Sequence, residues 1–545
     1  MKKTSFALLL AFALAWFATA GSRDLFNADE ARYAEIAREM VASGDWLTPR
    51  LNGFKYFEKP PLQYWATAAA FEAFGESAWS ARLWTVLTGF ATVLATLAAG
   101  TSLLGPAAGA YGALLLGASL MWIGMGHFSS LDMGLAAFLS FAIYAYALAQ
   151  RDGASARSQR NWMLAAWAAS AFAVLAKGLV GIVLPAGALF VYLLWQRDWR
   201  LLGARSMHWG AGLALAGLLA VPWFVAVSLA NPEFARFFFI HEHFERFLTV
   251  EHGRYQPAWY FVPVLLVGLL PWTLALPGAL AAGLRRDPAL RFQPQRFLFA
   301  WIVVVFVFFS ASDSKLISYV LPLVPAVALL AGDWAARMRA GALAWVALPA
   351  AAFGAVAAWL APAYAAQRAS PELPAELLAR FLPWVLGAGF ALVVGGTLAA
   401  ILAWRGRRGA ALVSLAAGGF GTALAVLVGY QTLAPLYSAR QIVERVRPAL
   451  DGAPRLFFYD TFDHAFLFYA RRTATMVMYK DELAAPIGWQ PGNFIAGAEE
   501  FERAWRSAPG AVALMRPRGY DSLAASGLPM RVLARDPRRV VVVRP

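Results

Sequence analysis

Apolar runs near the roughly 20-residue length that crosses a hydrocarbon core recur along most of this chain, and they constrain its fold more than any other feature. Hydrophobic residues make up 60% of the 545 residues and charged residues only 14%. Soluble globular domains do not have such a composition. Because a helix satisfies its own backbone polar groups in lipid, the sequence predicts a polytopic α-helical membrane protein and argues against a barrel. The absence of cysteine excludes disulfides and thiolate metal sites.

The apolar runs and their flanks predict about thirteen spans. They lie near 5–21, 79–100, 107–126, 132–149, 162–176, 178–195, 208–229, 258–281, 297–310, 318–335, 341–361, 381–403 and 410–430. With the N-terminus inside, the Arg-rich short connectors become cytoplasmic, as the positive-inside rule requires. We expect the first span to be a retained signal anchor, although cleavage after Ala20 is an alternative. The net charge of +15 therefore belongs to membrane topology, and we expect no nucleic-acid partner.

The chain divides into two predicted domains. Residues 1–430 form the membrane domain, with a long external loop at 22–78, and an odd number of spans places the C-terminus outside. From residue 431 onward, amphipathic helical patterns alternate with short apolar strands, which predicts an external α/β domain over 431–545. No catalytic constellation appears in that domain, so we expect it to be a structural cap.

The external loop begins with "NADEARYAEIAREMVASG", which predicts an amphipathic helix capped near Asn27 and stopped at Gly44. Asp29 and Tyr33, four residues apart, share one face of it. Its apolar positions are expected to lie along the membrane surface; they are Ala31, Ala34, Ile36, Ala37, Met40 and Val41. Three of its charged residues are expected to be solvated: Glu30, Glu35 and Arg38.

Further polar residues stand in outer connectors, where acids and bases from distant segments could converge on one cavity. In "YFEKPP", Glu58 and Lys59 are held by a rigid Pro-Pro turn, and a lysine ammonium suits a phosphate. The other candidates at span ends are Asp132, Lys177, Asp313, Lys315 and Tyr319. Taken singly, each is more often a helix cap or an interface anchor, so their joint placement on one side is the informative observation.

A histidine-rich connector at 230–257 offers a metal ligand or a phosphate clamp, since it carries His241, Glu242, His243 and Arg246. His241 and Glu58, together with solvent, could bind a divalent cation such as zinc, with His243 as a substitute for His241. The unliganded alternative stays open, because two ligands from distant segments are a weak signal.

Several motifs together resemble a known family: "DEARY", "GDW", "YFEKPP", "SLDMGL", "AKG", "HEHFERF" and "SKLISYVLP". On this pattern of spans with an outer α/β tail, they look like the lipid A aminoarabinose transferases, which belong to the protein O-mannosyltransferase-like superfamily of GT-C glycosyltransferases. The resemblance implies the GT-C fold in the bacterial inner membrane, with a periplasmic C-terminal domain and a monomeric chain. It also implies transfer of 4-amino-4-deoxy-L-arabinose from undecaprenyl phosphate to lipid A phosphate, which gives polymyxin resistance.

By motif matching, the resemblance implies Asp29 and Asp132 as the catalytic acids. It implies residues that line the carrier-phosphate cavity or its approach; these are Arg32, Tyr33, Tyr56, Lys59, Lys177, Arg246 and Tyr319, to which the placement of Lys315 adds one more candidate. Glu58 and His241 would be the metal pair.

Two alternatives remain. The same chemistry could use another polyprenyl-phosphate sugar, such as glucosamine, galactosamine or a neutral hexose, with lipid A or protein as acceptor. A lipid flippase or transporter is the alternative from another class, although the polar residues gather at one surface and no paired broken helices stand in matching halves.

Overall fold

The computed structural model describes residues 3–245 and 255–545. Within that part of the chain, eight helices are long and apolar enough to cross a membrane. They are Ala78–Leu104, Leu131–Gln150, Ala204–Ala230, Pro294–Ala311, Ile317–Arg337, Ala340–Arg368, Ala375–Trp404 and Arg408–Tyr437. Their mean hydropathy over an 18-residue window lies between 1.5 and 2.2, which explains why length and composition alone were enough to predict them.

Two further apolar segments are pairs of helices with a sharp bend between them. Pro106–Gly117 and Leu120–Gly126 meet at 63°, and Ala258–Gly268 and Thr273–Leu284 meet at 114°, which raises the count to ten if each pair is one span. The remaining apolar helices near predicted spans are Lys3–Ala18, Ala156–Lys177 and Val180–Gln196. Every predicted span thus coincides with a helix or a bent helix pair, while the count of thirteen stays a prediction.

Small residues allow the membrane helices to approach closely, which is how helices associate in lipid. At Gly332, a Cβ atom would lie only 2.4 Å from the backbone nitrogen of Gly112 on the neighbouring helix. At Gly395, it would lie 2.6 Å from the Cα of Gly418. No larger side chain fits at either crossing without moving a backbone.

The loop at 22–78 folds into two helices, Asp29–Ser43 and Leu62–Phe74, joined by a two-stranded hairpin. The hairpin pairs β1 (Arg50–Leu51) with β2 (Phe54–Lys55). As predicted, the first helix ends before Gly44, which adopts a left-handed φ of 70°. Asn27 does not cap the helix with its side chain, because that amide instead bonds to Asp463 and to the backbone of Ala465.

The apolar face of Asp29–Ser43 does not lie along the membrane surface, and that prediction is wrong. Ala31, Ile36 and Met40 are at most 2% exposed. They belong to a core shared with the helix Leu62–Phe74 and with the C-terminal helix His464–Ala470. The helix is therefore clamped between the membrane domain and the C-terminal domain.

The C-terminal domain is an α/β unit around a six-stranded sheet. Its strands are β3 Leu456–Tyr459, β4 Thr475–Val477, β5 Phe494–Ile495, β6 Val512–Met515, β7 Arg531–Arg535 and β8 Val540–Val543. Their order in the sheet is β5-β4-β3-β6-β8-β7. β3 pairs in parallel with β4 and β6, β4 pairs in parallel with β5, and β8 is antiparallel to β6 and β7. Its main helices are Arg440–Asp451, His464–Ala470, Ala484–Trp489, Ala498–Arg506 and Pro517–Ala525. The alternating pattern noted from residue 431 onward is thus a mixed sheet covered by helices.

Candidate functional site

Asp29 and Arg32 stand one helical turn apart at the start of the first-loop helix. Arg32 donates to Oδ1 of Asp29 at 2.8 Å, and the Asp29 side chain remains 43% exposed. The same guanidinium forms a 2.8 Å ion pair with Glu482 of the C-terminal domain. Its Nε also lies 3.4 Å from Nε2 of His464, which is itself hydrogen-bonded to Glu482. Asp29, the exposed acid, is therefore held by Arg32, and Arg32 is itself held by Glu482 and His464 of the C-terminal domain.

Glu30, expected to be solvated, is instead fully buried beside this pair. Its carboxylate pairs with both Arg23 and Arg82 and accepts the backbone N–H of Ser129 at 2.9 Å. Burial acts to raise the pKa of Glu30, but the two guanidinium groups outweigh it and hold the pKa at about 2. The buried charge ties the first loop to the helix Ala78–Leu104 and to the connector before Asp132.

The prediction that Glu35 and Arg38 are solvated is also wrong. Glu35 is fully buried and accepts two hydrogen bonds from Arg38, at 2.6 and 2.7 Å. Of the charges named on this helix, only that of Asp29 retains substantial exposure.

Three buried tyrosines lie next to Arg32. The rings of Tyr33 and Tyr64 have centroids 6.1 Å apart, and Tyr56 is 1% exposed. Burial raises the pKa of all three phenols well above 10, with further contributions from Asp29 at Tyr33 and from Glu58 at Tyr56 and Tyr64. Each therefore stays protonated and can donate a hydrogen bond.

Tyr64 differs from the other two tyrosines, and sequence reasoning missed it. It is completely buried, and its hydroxyl has no hydrogen-bond partner among residues 3–245 and 255–545. Leaving a buried hydroxyl unpaired costs about 1–3 kcal/mol, so such a group calls for an explanation. The charges of Glu58, Arg32 and Glu482 all act on it, which places it within the site.

Lys59 turns back from the Pro-Pro segment toward the histidine-rich connector. Its ammonium donates to the carbonyl of Glu58 and to Glu242, both at 2.7 Å. His241, one residue earlier, stacks on Phe237 with centroids 5.0 Å apart. The connector thus reaches the first loop, as the convergence argument predicted, inside a π-helical segment at Arg236–Glu245.

Asp132, Lys177 and Tyr319 meet although they come from three connectors. Lys177 is ion-paired with Asp132, and its Nζ lies 4.7 Å from the ring centroid of Tyr319. The charge of Asp132 also acts on Tyr33, which links this group to the first-loop helix. Lys315 is 3% exposed, and it donates to the backbone carbonyls of Gln256 and Ser312. The ammonium of Lys315 thus joins its own connector, which contains Ser312, to the connector that contains Gln256.

The metal pair predicted from the sequence, Glu58 with His241, stays a prediction. Among the side chains that the structure describes, no three of the types His, Cys, Asp or Glu are grouped to hold an ion. Zinc sites ordinarily have three or four protein ligands, and the predicted pair of Glu58 and His241 supplies two. The side chain of His243 and all of Arg246 lie outside the described residues.

A large apolar cavity of about 1100 Å³ opens beside these connectors. The helices Ala156–Lys177, Val180–Gln196 and Trp209–Ala230 form most of its wall. Gly178, next to Lys177, lines one part of it, and Phe238 and Phe239 of the histidine-rich connector line another. The cavity therefore offers an apolar space that begins at the residue next to Lys177.

Comparison with known proteins gives two family matches. Residues 442–544 match the model described as aminoarabinose transferase C-terminal domain. Residues 1–238 match the model described as dolichyl-phosphate-mannose-protein mannosyltransferase.

Among solved structures, the chain resembles ArnT from Cupriavidus metallidurans bound to undecaprenyl phosphate. Sequence identity is 36%, the match covers 99% of this chain and 98% of that one, and the TM-score is 0.93. The archaeal oligosaccharyltransferase AglB from Archaeoglobus fulgidus shares the fold, with a TM-score of 0.54 and 12% identity over 94% of this chain and 69% of that one. The predicted fold of a multi-pass membrane protein is confirmed.

Curated relatives match over a shorter stretch. The undecaprenyl phosphate-alpha-4-amino-4-deoxy-L-arabinose arabinosyl transferase 1 of Sodalis glossinidius is 37% identical over 59% of this chain and 57% of that protein. The protein of similar name from Pseudomonas aeruginosa (strain UCBPP-PA14) is 33% identical over 62% of this chain and 61% of that protein. The alignments thus span about three fifths of the length of these relatives.

Proposed function

This chain belongs to the aminoarabinose transferase family, and we propose that it transfers 4-amino-4-deoxy-L-arabinose from undecaprenyl phosphate to a phosphate of lipid A. The observation that carries the proposal is the full-length likeness to an ArnT structure bound to undecaprenyl phosphate, at 36% identity. The polar site supports it, since acids, cations and phenols from separate connectors surround one region beside an apolar cavity.

The proposed reaction exchanges one phosphate for another at the anomeric carbon of the sugar. An oxygen of the lipid A phosphate forms a bond to that carbon, and the bond from the carbon to the carrier phosphate breaks. The carrier leaves as undecaprenyl phosphate with the bonding electron pair. Because the acceptor phosphate is already ionised at neutral pH, no strong general base is needed.

The protein's main task is then to stabilise the charge that develops on the departing phosphate, which fixed cations in a poorly solvated pocket do well. We assign this task to Lys59 and Lys177, together with Arg246. Lys59 and Lys177 are each paired with an acid, Glu242 and Asp132, so a phosphate that binds them has to compete with these carboxylates. Tyr33, Tyr56 and Tyr64 stay protonated and would donate to phosphate or sugar oxygens.

Asp29 would bind the amino group of the donor sugar or position the acceptor. It is the exposed carboxylate at the start of the first-loop helix, and Arg32 occupies only one of its oxygens. If the acceptor were a hydroxyl, as in protein mannosylation, Asp29 would instead be the general base, a role worth about 10²- to 10⁴-fold in rate.

The location follows from the same proposal. The chain would lie in the bacterial inner membrane, with the loop 22–78 and the C-terminal domain on the periplasmic side. The undecaprenyl chain would occupy the apolar cavity of about 1100 Å³, whose wall includes the residue that follows Lys177. A divalent cation at Glu58 and His241 stays a proposal, and we assign it no step in the reaction.

Mass spectrometry of lipid A from cells with and without this protein tests the proposal. A mass gain of one aminopentose is expected only in cells that contain the protein. A gain matching a hexosamine or hexose would favour the alternative donors, and movement of carrier lipid across vesicles without release of undecaprenyl phosphate would favour the flippase.

A further inference from the structure

We propose that Glu482 of the C-terminal domain is a positioning residue for the transfer, because it holds Arg32 in the place from which Arg32 orients Asp29. The inference rests on the proposed function and deepens it. It makes the C-terminal domain a part of the active site, where the sequence predicted only a structural cap.

Three partners surround the guanidinium of Arg32. Asp29 lies 2.8 Å from one terminal nitrogen, Glu482 lies 2.8 Å from the other, and His464 lies 3.4 Å from Nε. Because the guanidinium is planar and its N–H groups form a fixed fork, these contacts determine both its position and its orientation. Two of the three come from a domain more than 400 residues away in sequence.

The two C-terminal partners are themselves held in place. Glu482 is hydrogen-bonded to His464, and the side chains of Arg32, Glu482 and His464 are 12%, 13% and 7% exposed. Burial acts to raise the pKa of Glu482, but His464 and Arg32 together lower it to about 2, so the carboxylate keeps its charge at neutral pH. The C-terminal domain therefore presents a negative charge to Arg32 at neutral pH.

The same segment of the C-terminal domain is bonded to the chain just before Asp29. Asn27 donates to Asp463 at 2.8 Å and accepts the backbone N–H of Ala465, also at 2.8 Å. The residues on either side of His464 are thus joined to the residue two positions before the acid. The C-terminal domain therefore contacts the start of the helix through these hydrogen bonds as well as through the ion pair of Arg32 with Glu482.

Loss of the charge at Glu482 would change what Arg32 does to Asp29. Among the described contacts, Asp29 would then be the one carboxylate left on the guanidinium, and the fork could take both of its oxygens. A carboxylate occupied in this way has fewer lone pairs free for a substrate group and is held in a different orientation. Glu482 acts through Arg32 and does not itself touch substrate.

A purely structural role for Glu482 makes a different prediction, because the domain is also docked elsewhere. Asn52 exchanges two hydrogen bonds with the backbone of Ala474, at 2.9 and 2.7 Å, away from Arg32. Asn52 has a φ of 55°, which glycine adopts without strain, so Asn52→Gly removes this docking contact cleanly. The exposed Glu500 provides a charge-matched control within the same domain.

The test compares Glu482→Gln, Glu482→Asp, Asn52→Gly and Glu500→Gln in the full chain, in nanodiscs, with undecaprenyl-phosphate aminoarabinose and lipid A. We expect Glu482→Gln to lower kcat by about 10- to 100-fold, the cost of a small misplacement, while binding of undecaprenyl phosphate is unchanged. Glu482→Asp should recover part of kcat. Asn52→Gly should lower Tm at least as much as Glu482→Gln while it keeps kcat, and Glu500→Gln should match the wild type.

Wild-type kcat in Glu482→Gln, or equal kcat losses in Glu482→Gln and Asn52→Gly, would overturn the inference and leave the proposed function intact. An inactive wild-type protein would contradict the proposed function instead. In that case a cryo-EM map of Glu482→Gln decides the inference: a displaced Arg32 guanidinium supports it, and an unmoved one overturns it.

Discussion

Lys177 is ion-paired with Asp132, 45 residues away, and its ammonium lies 4.7 Å from the ring centroid of Tyr319. Three separate connectors thus place an acid, a base and an aromatic ring at one point. The side chains of Lys177 and Asp132 are only 19% and 13% exposed, so neither charge is simply solvated. A phosphate that binds here must compete with Asp132 for Lys177.

Separate variants of this pair should distinguish stability from function. Asp132→Asn or Lys177→Gln alone leaves a mostly buried charge without its main partner, so each should lower Tm. The double variant removes both charges and should regain much of that loss, while all three lose transfer. Thermal unfolding in detergent and a turnover assay check this. A double variant that stays as unstable as the singles, or one that remains active, contradicts the account.

Glu30 should make the folded state sensitive to acid. Its pKa is lowered from 4.5 to about 2 in the folded chain, so its stabilising contribution is complete above its unfolded pKa and is lost as the pH falls toward 2. We expect the wild-type Tm to fall between about pH 5 and pH 3, and Glu30→Gln to have a lower Tm at pH 7 with a weaker pH dependence. The exposed Glu72 supplies the control, Glu72→Gln. Identical pH slopes in the wild type and Glu30→Gln would refute this role.

Tyr64→Phe should separate folding from substrate binding. The hydroxyl has no partner among the described residues, so its removal should leave Tm unchanged or raise it. If the hydroxyl bonds to substrate, transfer should drop about tenfold. Tyr144→Phe is the control, because the hydroxyl of Tyr144 lies 3.1 Å from that of Thr96, and its loss should lower Tm and spare activity. A fall in Tm at Tyr64→Phe would reveal a protein partner and count against the substrate contact.

Zinc content tests the metal proposal without any activity assay. If Glu58 and His241 hold the ion, the purified wild type should retain zinc after dialysis. The variants Glu58→Gln and His241→Ala should each retain less zinc, as measured by elemental mass spectrometry. His208→Ala removes a histidine that bonds to Gln159, away from the site, and should retain as much zinc as the wild type. Equal zinc in all four proteins would end the proposal.

Sequence reasoning succeeded where the deciding physics is local. Span positions follow from apolar length, and the shared face of Asp29 and Tyr33 follows from helical spacing. Placing the polar connectors on one side predicted that acids and bases from distant segments could converge, and the structure adds which of them pair: Lys177 with Asp132, and Lys59 with Glu242.

Sequence reasoning failed where the burial of a residue depends on partners that are distant in the chain. Glu30 is a plausible solvated residue until Arg82, 52 residues later, is brought against it. Nothing local marks Glu482 or His464 as neighbours of Arg32, because that contact requires the docked position of the C-terminal domain. The apolar face of Asp29–Ser43 was assigned to the membrane surface for the same reason. Contact with a membrane and contact with a second domain both require apolar residues along one face of a helix, so the sequence pattern does not distinguish them.

The carboxylate of Asp29 decides whether this site performs the proposed transfer. The measurement is release of undecaprenyl phosphate from undecaprenyl-phosphate aminoarabinose with lipid A, by the purified wild type and by Asp29→Asn, together with carrier binding by both proteins. We expect release by the wild type, none by Asp29→Asn, and equal carrier binding. Undiminished release by Asp29→Asn would contradict the assignment of the site.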